Sequence, residues 1–326
     1  MRTKHSISMI SLFVFLAVLC LSVVSSEAKV TIKLPHENAV GGPLDEAFNY
    51  FAKRAGELTN GDIEVKIFPA GQLGDEAAIM EGVTVGTLDA GGGALLARIE
   101  PMWNAVFFPF LFRDAQHVQK VLNGPIGAEM KERTLKKGIK VMASFEPGFH
   151  NFLNNKRPVY TPEDLKGLKL RIMGVPVYME AAKAYGIVTV GLPYGEVYTG
   201  IRQGVVDGCE GSFIAIMEQK WHEVVKYISL ANWASARDYM FLSARLWNSL
   251  SPQNQKALEQ AGKECEDFYN KIYEKALEEG FDAVLKAGIK VNLVYQPAFY
   301  PIAEKVWKMY EKDVPASVTD RIKATK

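Results

Sequence analysis

The 326-residue sequence has little cysteine: Cys20, Cys209 and Cys265 are the only three. That excludes a disulfide-built scaffold. Cys209 and Cys265 could pair in an oxidising compartment, but two unpaired thiols is the expected state. Charge of one sign is not in excess either. Removing Arg2, Lys4 and Glu27 with an N-terminal leader takes the 38 basic and 37 acidic residues to 36 of each. A nucleic-acid-binding chain would need a basic patch. Beyond the N-terminus no apolar run is long enough to span a bilayer. Catalytic signatures are missing as well. "HEVVK" (222–226) starts like a zinc-protease motif but carries Lys226 where the second histidine belongs. No Cys-x-x-Cys pair and no Gly-x-Ser-x-Gly elbow occurs. "GGGALL" (91–96) fits neither the dinucleotide nor the P-loop spacing; its glycines are expected to let backbone approach a ligand or a neighbouring lobe. His36, His117, His150 and His222 are scattered, without metal-ligand spacing. The sequence therefore predicts no metal and no cofactor, and enzyme readings start weak.

The N-terminus does carry a signal. Arg2, Lys4 and His5 precede a mostly apolar stretch, Met9 to Val24, and Ser26 and Ala28 stand where a leader peptidase needs small residues. This is the pattern of a secretory signal peptide cleaved after Ala28, with residues 1–28 removed and the mature chain in the periplasm. A membrane anchor would need a longer span. Leu19 before Cys20 is too bulky for lipidation.

The mature chain alternates strands and helices. "KVTIKL" (29–34), "DIEVKIFP" (62–69) and "TLDAGG" (87–92) read as strands. A helix between the first two starts at Pro43 and stops at Asn60-Gly61. "GIKVMASFE" (138–146), "LKLRI" (168–172) and "VTVGL" (188–192) repeat the style, with helices at 176–186 and 194–204. This alternation predicts mainly parallel sheets flanked by helices, with ligands at the carboxyl ends of strands. From Ser251 as N-cap, one long helix is expected, interrupted or stopped near Gly280. It could join two lobes or be an ordinary core helix.

Three stretches read together narrow the possibilities: "FPAGQLGDEAAIMEGVTVGTLDAG" (68–91), "NKRPVYTPEDLKGLKLRIMGVPVYMEAAKAYGIVTVGLPYGEVYTGIRQGVVDG" (155–208) and "WNSLSPQNQKALEQA" (247–261). In order and spacing the chain resembles the substrate-binding proteins of tripartite ATP-independent periplasmic (TRAP) transporters, the C4-dicarboxylate-binding-protein family. The resemblance implies a two-lobed, Venus-flytrap α/β fold with a long helix spanning both lobes. Lobe I would take residues 29–148 and 237–276, lobe II residues 149–236 and 277–326. It further implies a monomer that captures a small organic acid between the lobes and delivers it to small and large membrane subunits driven by an ion gradient. A binding protein feeding a sensor kinase, or a hydrolase using the same cleft, are the alternatives.

The resemblance also implies site residues. Arg171 falls on the family arginine that forks onto the ligand carboxylate, a match of planar donors to planar acceptor. On the residues alone, a structural salt bridge is the other reading. Tyr194 falls where an aromatic often lines the ligand, with core packing as the alternative. Two positions depart from the pattern. His150 in "PGFHNFLNN" stands where many members have a second arginine, and Gly211, followed by Ser212, stands where many have asparagine. Losing those donors favours a monoanion with an apolar or hydroxylated remainder. Placement near strand ends adds Asn38 with His36 and Glu37, and Glu76 with Asp75. Trp233 and Phe213 could line the cleft or pack in the core. The run "PMWNAVFFPFLF" (101–112) is expected in the hinge-side core, with Trp103 or Phe107 at the cleft edge.

Overall fold

The computed structural model describes residues 29–145 and 148–326. The predicted leader, and Glu146 and Pro147 at the first expected crossing, lie outside the described residues. Among the described residues eleven strands run in chain order: β1 Val30–Pro35, β2 Ile63–Phe68, β3 Ala90–Gly93, β4 Ile139–Phe145, β5 Asn151–Asn154, β6 Lys169–Arg171, β7 Val188–Val190, β8 Gly208–Gly211, β9 Tyr227–Leu230, β10 Asp238–Ser243 and β11 Lys290–Leu293. They form a parallel pair β1–β2, a three-stranded sheet β3–β10–β4, and a six-stranded sheet β11–β9–β5–β8–β6–β7. β1 pairs with β2, β6 with β7 and β8, and β11 with β9 in parallel. The antiparallel pairs all involve β10 or β5, the strands next to the crossings between lobes.

In the first lobe the Pro43–Leu58 helix begins with proline at its start and ends at Thr59, followed by Asn60 and Gly61 with positive φ. It buries Phe48, Phe51 and Ala55 against Ile32, Leu34, Ala143 and Met240. Gly91 and Gly92 on β3 are glycines because helices press directly on that strand. A Cβ on Gly91 would lie 2.5 Å from Ile79 Cγ2, and one on Gly92 2.4 Å from Phe48 Cε2. The second lobe has its own core of Leu153, Val197, Cys209, Trp221, Ile228 and Val284. A third, continuous core joins the lobes through Trp103, Phe107, Phe152, Leu170, Tyr178 and Trp233. Trp103 and Phe107 are fully buried there and do not edge the cleft. The C-terminal Ala316–Ala324 helix closes this core, where Ile322 O contacts His117 Nε2 at 2.8 Å.

The Pro252–Lys286 helix is capped by Ser251 and runs unbroken for 35 residues, about 52 Å at 1.5 Å per residue. Gly280, expected to stop it, lies within it. Its two buried glycines are contact points instead. A Cβ on Gly262 would lie 2.8 Å from Met142 O of β4, and one on Gly280 3.1 Å from Met217 Cγ in the second lobe. Leu258, Ala261, Cys265 and Tyr269 belong to the first lobe's core and Val284 to the second's. The helix is thus a rigid spine across both. The crossing segments lie side by side: His150 N–H donates to Ala234 O at 2.9 Å, and Ala236 N–H to Gly148 O at 2.9 Å. Cys209 and Cys265 are free and buried in different cores. Among the described residues no helix is long and apolar enough to cross a membrane.

Candidate functional site

The strand ends of both lobes meet around a cavity. The first lobe contributes Glu37 and Asn38 after β1, Glu76 at a helix start, and Gly92 to Ala94 at the end of β3. The second contributes Arg171 from the end of β6, Glu210 and Gly211 from β8, and Ser212, Ile214, Ala215 and Glu218 after it. Ala236, Arg237 and Asp238, on the crossing, complete the wall. The lobes touch across it. Arg98 Nη2 donates to Gly174 O at 3.3 Å, and Glu218 packs so closely on Gly42 that a Cβ there would lie 2.3 Å from its Oε1.

Arg171 is 8% exposed. Its Nε donates to Leu192 O at 3.2 Å, its Nη1 stands 3.6 Å from Glu210 Oε1, and Tyr194 lies with its ring centroid 5.9 Å from the guanidinium. Among the described residues its Nη2 has no hydrogen-bond partner, so an edge of the fork remains for an anion. Glu210 is the hub behind it. Met173 N–H donates to Glu210 Oε1 at 2.9 Å, and Glu210 Oε2 contacts His150 Nδ1. Burial alone would raise the Glu210 carboxyl, but His150, Arg171 and the Met173 amide outweigh it and hold it below its ordinary value. Glu210 therefore stays ionised and orients both basic side chains.

Further acidic side chains line the same cavity. Burial, reinforced by Asp238 and Glu37, pushes the Glu76 carboxyl up to about 8 against the amide of Ala94 and the charge of Arg171, both of which favour its ionised form. Glu218 is pushed to about 8 by burial, then by Asp238 and Asp45. Burial raises Glu37 as well. Tyr194 is raised well above its ordinary value, chiefly by burial, and keeps its proton.

Of the residues singled out by sequence, Arg171, Tyr194, His150, Gly211, Ser212, Glu76 and Asn38 are brought together around this cavity. Ser212 Oγ is engaged as a helix cap, accepting Ala215 N–H at 3.3 Å. Four do not join them: His36 is buried with Nε2 3.2 Å from Asp45 Oδ1, Asp75 Oδ1 caps a helix by accepting Ala78 N–H at 2.8 Å, and two aromatics pack elsewhere. Trp233 is fully buried in the joining core, its ring centroid 4.8 Å from Tyr178 and 5.5 Å from Phe152. Phe213 turns away from the cavity, packs on Phe281 at 5.6 Å and lines a separate groove with Phe149 and Tyr273. Sequence reasoning missed Glu210, Glu218, Trp221, Arg237 and Asp238. Glu210 lay inside the motif "VDGCEG" and could have been found there. Glu218 and Asp238 carry no local signal. Among the described residues no cluster of side chains suits a metal ion.

The model of the bacterial extracellular solute-binding protein family 7, DctP, matches residues 34–313. The chain belongs to that family. Its members bind solutes rather than transform them, so the hydrolase and sensor readings gain no support. The 2,3-diketo-L-gulonate-binding periplasmic protein YiaO of Escherichia coli is 32% identical over 95% of both chains. A TRAP periplasmic solute-binding protein of Polaromonas, solved with D-erythronate bound, superposes with a TM-score of 0.87 at 27% identity, covering 91% of this chain and 99% of its own. One from Roseobacter denitrificans, holding β-D-glucuronate, gives 0.88 at 26%, covering 91% and 100%. This DctP-family chain is thus a periplasmic TRAP solute receptor with the two-lobed α/β fold, a small organic anion as its ligand and membrane subunits as its partners.

Proposed function

We propose that the ligand is a hydroxylated monocarboxylate of the sugar-acid class. The observation that carries this is the mixed lining of the cavity. It presents a guanidinium edge on Arg171, with His150 and Tyr194 also in the wall, and the carboxyls of Glu37, Glu76, Glu218 and Asp238. A carboxylate suits Arg171, where charge-assisted hydrogen bonds contribute roughly 1.5–3 kcal/mol each. Hydroxyls suit the carboxyl groups, because a hydroxyl both donates and accepts. Asn38, Ser212 and the backbone at Gly211 supply further polar contacts along the wall. The acids named for the similar proteins, diketogulonate, erythronate and glucuronate, join a carboxylate to hydroxyl groups. The receptor acts as a monomer after its leader is cleaved behind Ala28, with the lobes divided at 148–149, 236–237 and 276–277.

A thermal-shift panel on the mature protein, refolded to strip bound ligand, tests this. Sugar acids at one hundred times their dissociation constant stabilise by about 2.7 kcal/mol. Erythronate, gluconate or glucuronate is expected to raise the melting temperature, and Arg171→Ala to abolish the rise. Neutral sugars acting equally well, or the variant responding like wild type, would overturn the reading.

A further inference from the structure

Glu218 is in the cavity wall with no protein group to answer it. The Phe213–Glu218 helix, capped by Ser212, lays one face on the cavity, with Ile214, Ala215 and Glu218 on it. At about 3.6 residues per turn Glu218 falls between the other two, so its side chain shares their wall. It reaches the first lobe at Gly42, the N-cap of the Pro43–Leu58 helix, where a Cβ would lie 2.3 Å from its Oε1. Among the described residues neither of its oxygens has a hydrogen-bond partner, and Oε1 is buried. The other carboxyls of the wall are engaged. Glu210 accepts Met173 N–H and contacts His150, Glu76 accepts the amide of Ala94, Glu37 accepts from the backbone of Glu76, and Asp238 is partnered as well. Burial, then Asp238 and Asp45, raises Glu218 to about 8, so it keeps its proton at neutral pH. It is then a neutral group with an O–H to give and an oxygen to fill. Buried polar groups are ordinarily satisfied, and the fold does not satisfy this one.

We propose that Glu218 is a specificity-determining residue that takes a ligand hydroxyl, so that the closed form favours a hydroxylated acid over a plain carboxylic acid of the same length. The inference rests on the sugar-acid reading above and deepens it. A hydroxyl answers both needs of the carboxyl, accepting from its O–H or donating to its oxygens. A methylene in the same place answers neither and leaves the group shut away from water, which is costly. Because Glu218 meets Gly42 across the cleft, that cost falls on the closed form. A plain acid can reach Arg171 and still bind the closed form less well, so it shifts the equilibrium less.

Titration calorimetry at neutral pH with D-gluconate and its monodeoxy analogues, one lacking each hydroxyl, tests this. At one position wild type is expected to lose about tenfold in affinity. Glu218→Met keeps the length of the side chain without the carboxyl. It is expected to bind gluconate more weakly by a similar factor, to lose nothing further at that position, and to keep the wild-type penalties at the others. Glu218→Gln, whose amide donates and accepts, is expected to restore most of the lost discrimination; Glu218→Leu stands in if the methionine variant does not fold. A variant lacking the carboxyl that keeps every wild-type penalty overturns the proposal, as does a wild type that tolerates the loss of each hydroxyl. If gluconate does not bind, the same cycle is run on whichever acid of the thermal-shift panel does. A plain acid or a neutral sugar as the sole ligand overturns the sugar-acid reading and this one together. A sugar acid whose penalties all survive without the carboxyl overturns the Glu218 assignment alone.

Discussion

At Glu210 two basic side chains and an amide outweigh burial, whereas at Glu76 burial outweighs Arg171; that difference sets how each carboxyl reports on pH. Glu76 releases its proton near 4.5 in the unfolded chain and near 8 in the fold. Below the lower value both states keep it. Between the two only the folded protein does, so rising pH drains stability until the folded group has ionised, above about 8. Glu218 has the same sign. Glu210 has the opposite one, with stability present above its unfolded pKa and lost as pH falls through its depressed folded value. Glutamine at 76 cannot titrate. The melting temperature of Glu76→Gln minus that of wild type, both ligand-free, is therefore expected to be smallest near about pH 5 and to climb to a plateau above about pH 8.5. A difference independent of pH would show that Glu76 is not held protonated. At this scale the sequence was legible where a motif fixed the backbone, as at Arg171 and Tyr194. It was silent at Glu218, whose role exists only because distant Gly42 leaves room for it. Gly211 gains its reason here too: Trp221 fills the space of a side chain, with Cζ3 2.6 Å from where a Cβ would sit. Trp233 and Phe213 could not be placed from sequence, because an aromatic near a strand end serves a core and a cleft equally well.

Among the elements, the spine helix shows the reach and the limit of pattern reading. Its start was legible from Ser251 and Pro252, a cap followed by a residue with no amide to satisfy. Its continuity through Gly280 was not, since glycine ordinarily weakens a helix. The tertiary contacts override that preference: both buried glycines let the helix lie directly on the lobes. Gly262→Ala separates the two effects. Helix propensity alone would stabilise by about 1 kcal/mol. The added methyl would press on Met142 O, a backbone atom that cannot rotate aside. A net loss of melting temperature is expected, measured by thermal denaturation with the helical circular dichroism signal retained. A gain would mean that the helix can lift from β4 at little cost. The strands β1, β2, β6 and β7 were legible for the same reason as the helix start, because local apolar alternation marked them. The short β5, β8 and β9 owe their state to their neighbours in the six-stranded sheet.

Across the whole molecule, closure is governed by a small number of polar contacts over the cavity and by a core that does not have to open. Arg98 to Gly174 O is exposed and contributes on the order of 1 kcal/mol or less. Glu218 against Gly42 supplies contact without a hydrogen bond to its Oε1. The apolar core through Trp103, Tyr178 and Trp233 is continuous on the hinge side, and Tyr178 Oη donates to Ser235 O at 2.6 Å on the crossing strand. The lobes therefore have a firm hinge and a weakly held mouth. A ligand that adds two or three charge-assisted hydrogen bonds at Arg171, at roughly 1.5–3 kcal/mol each, outweighs what holds the empty mouth shut. Small-angle scattering of the stripped protein is expected to give a larger radius of gyration than the same protein saturated with its sugar acid. Arg171→Ala should keep the larger value when the acid is added, since the bond that distinguishes closed from open has been removed. If stripped and saturated wild type scatter alike, the empty protein is already closed, and Arg171 selects the ligand without driving the motion.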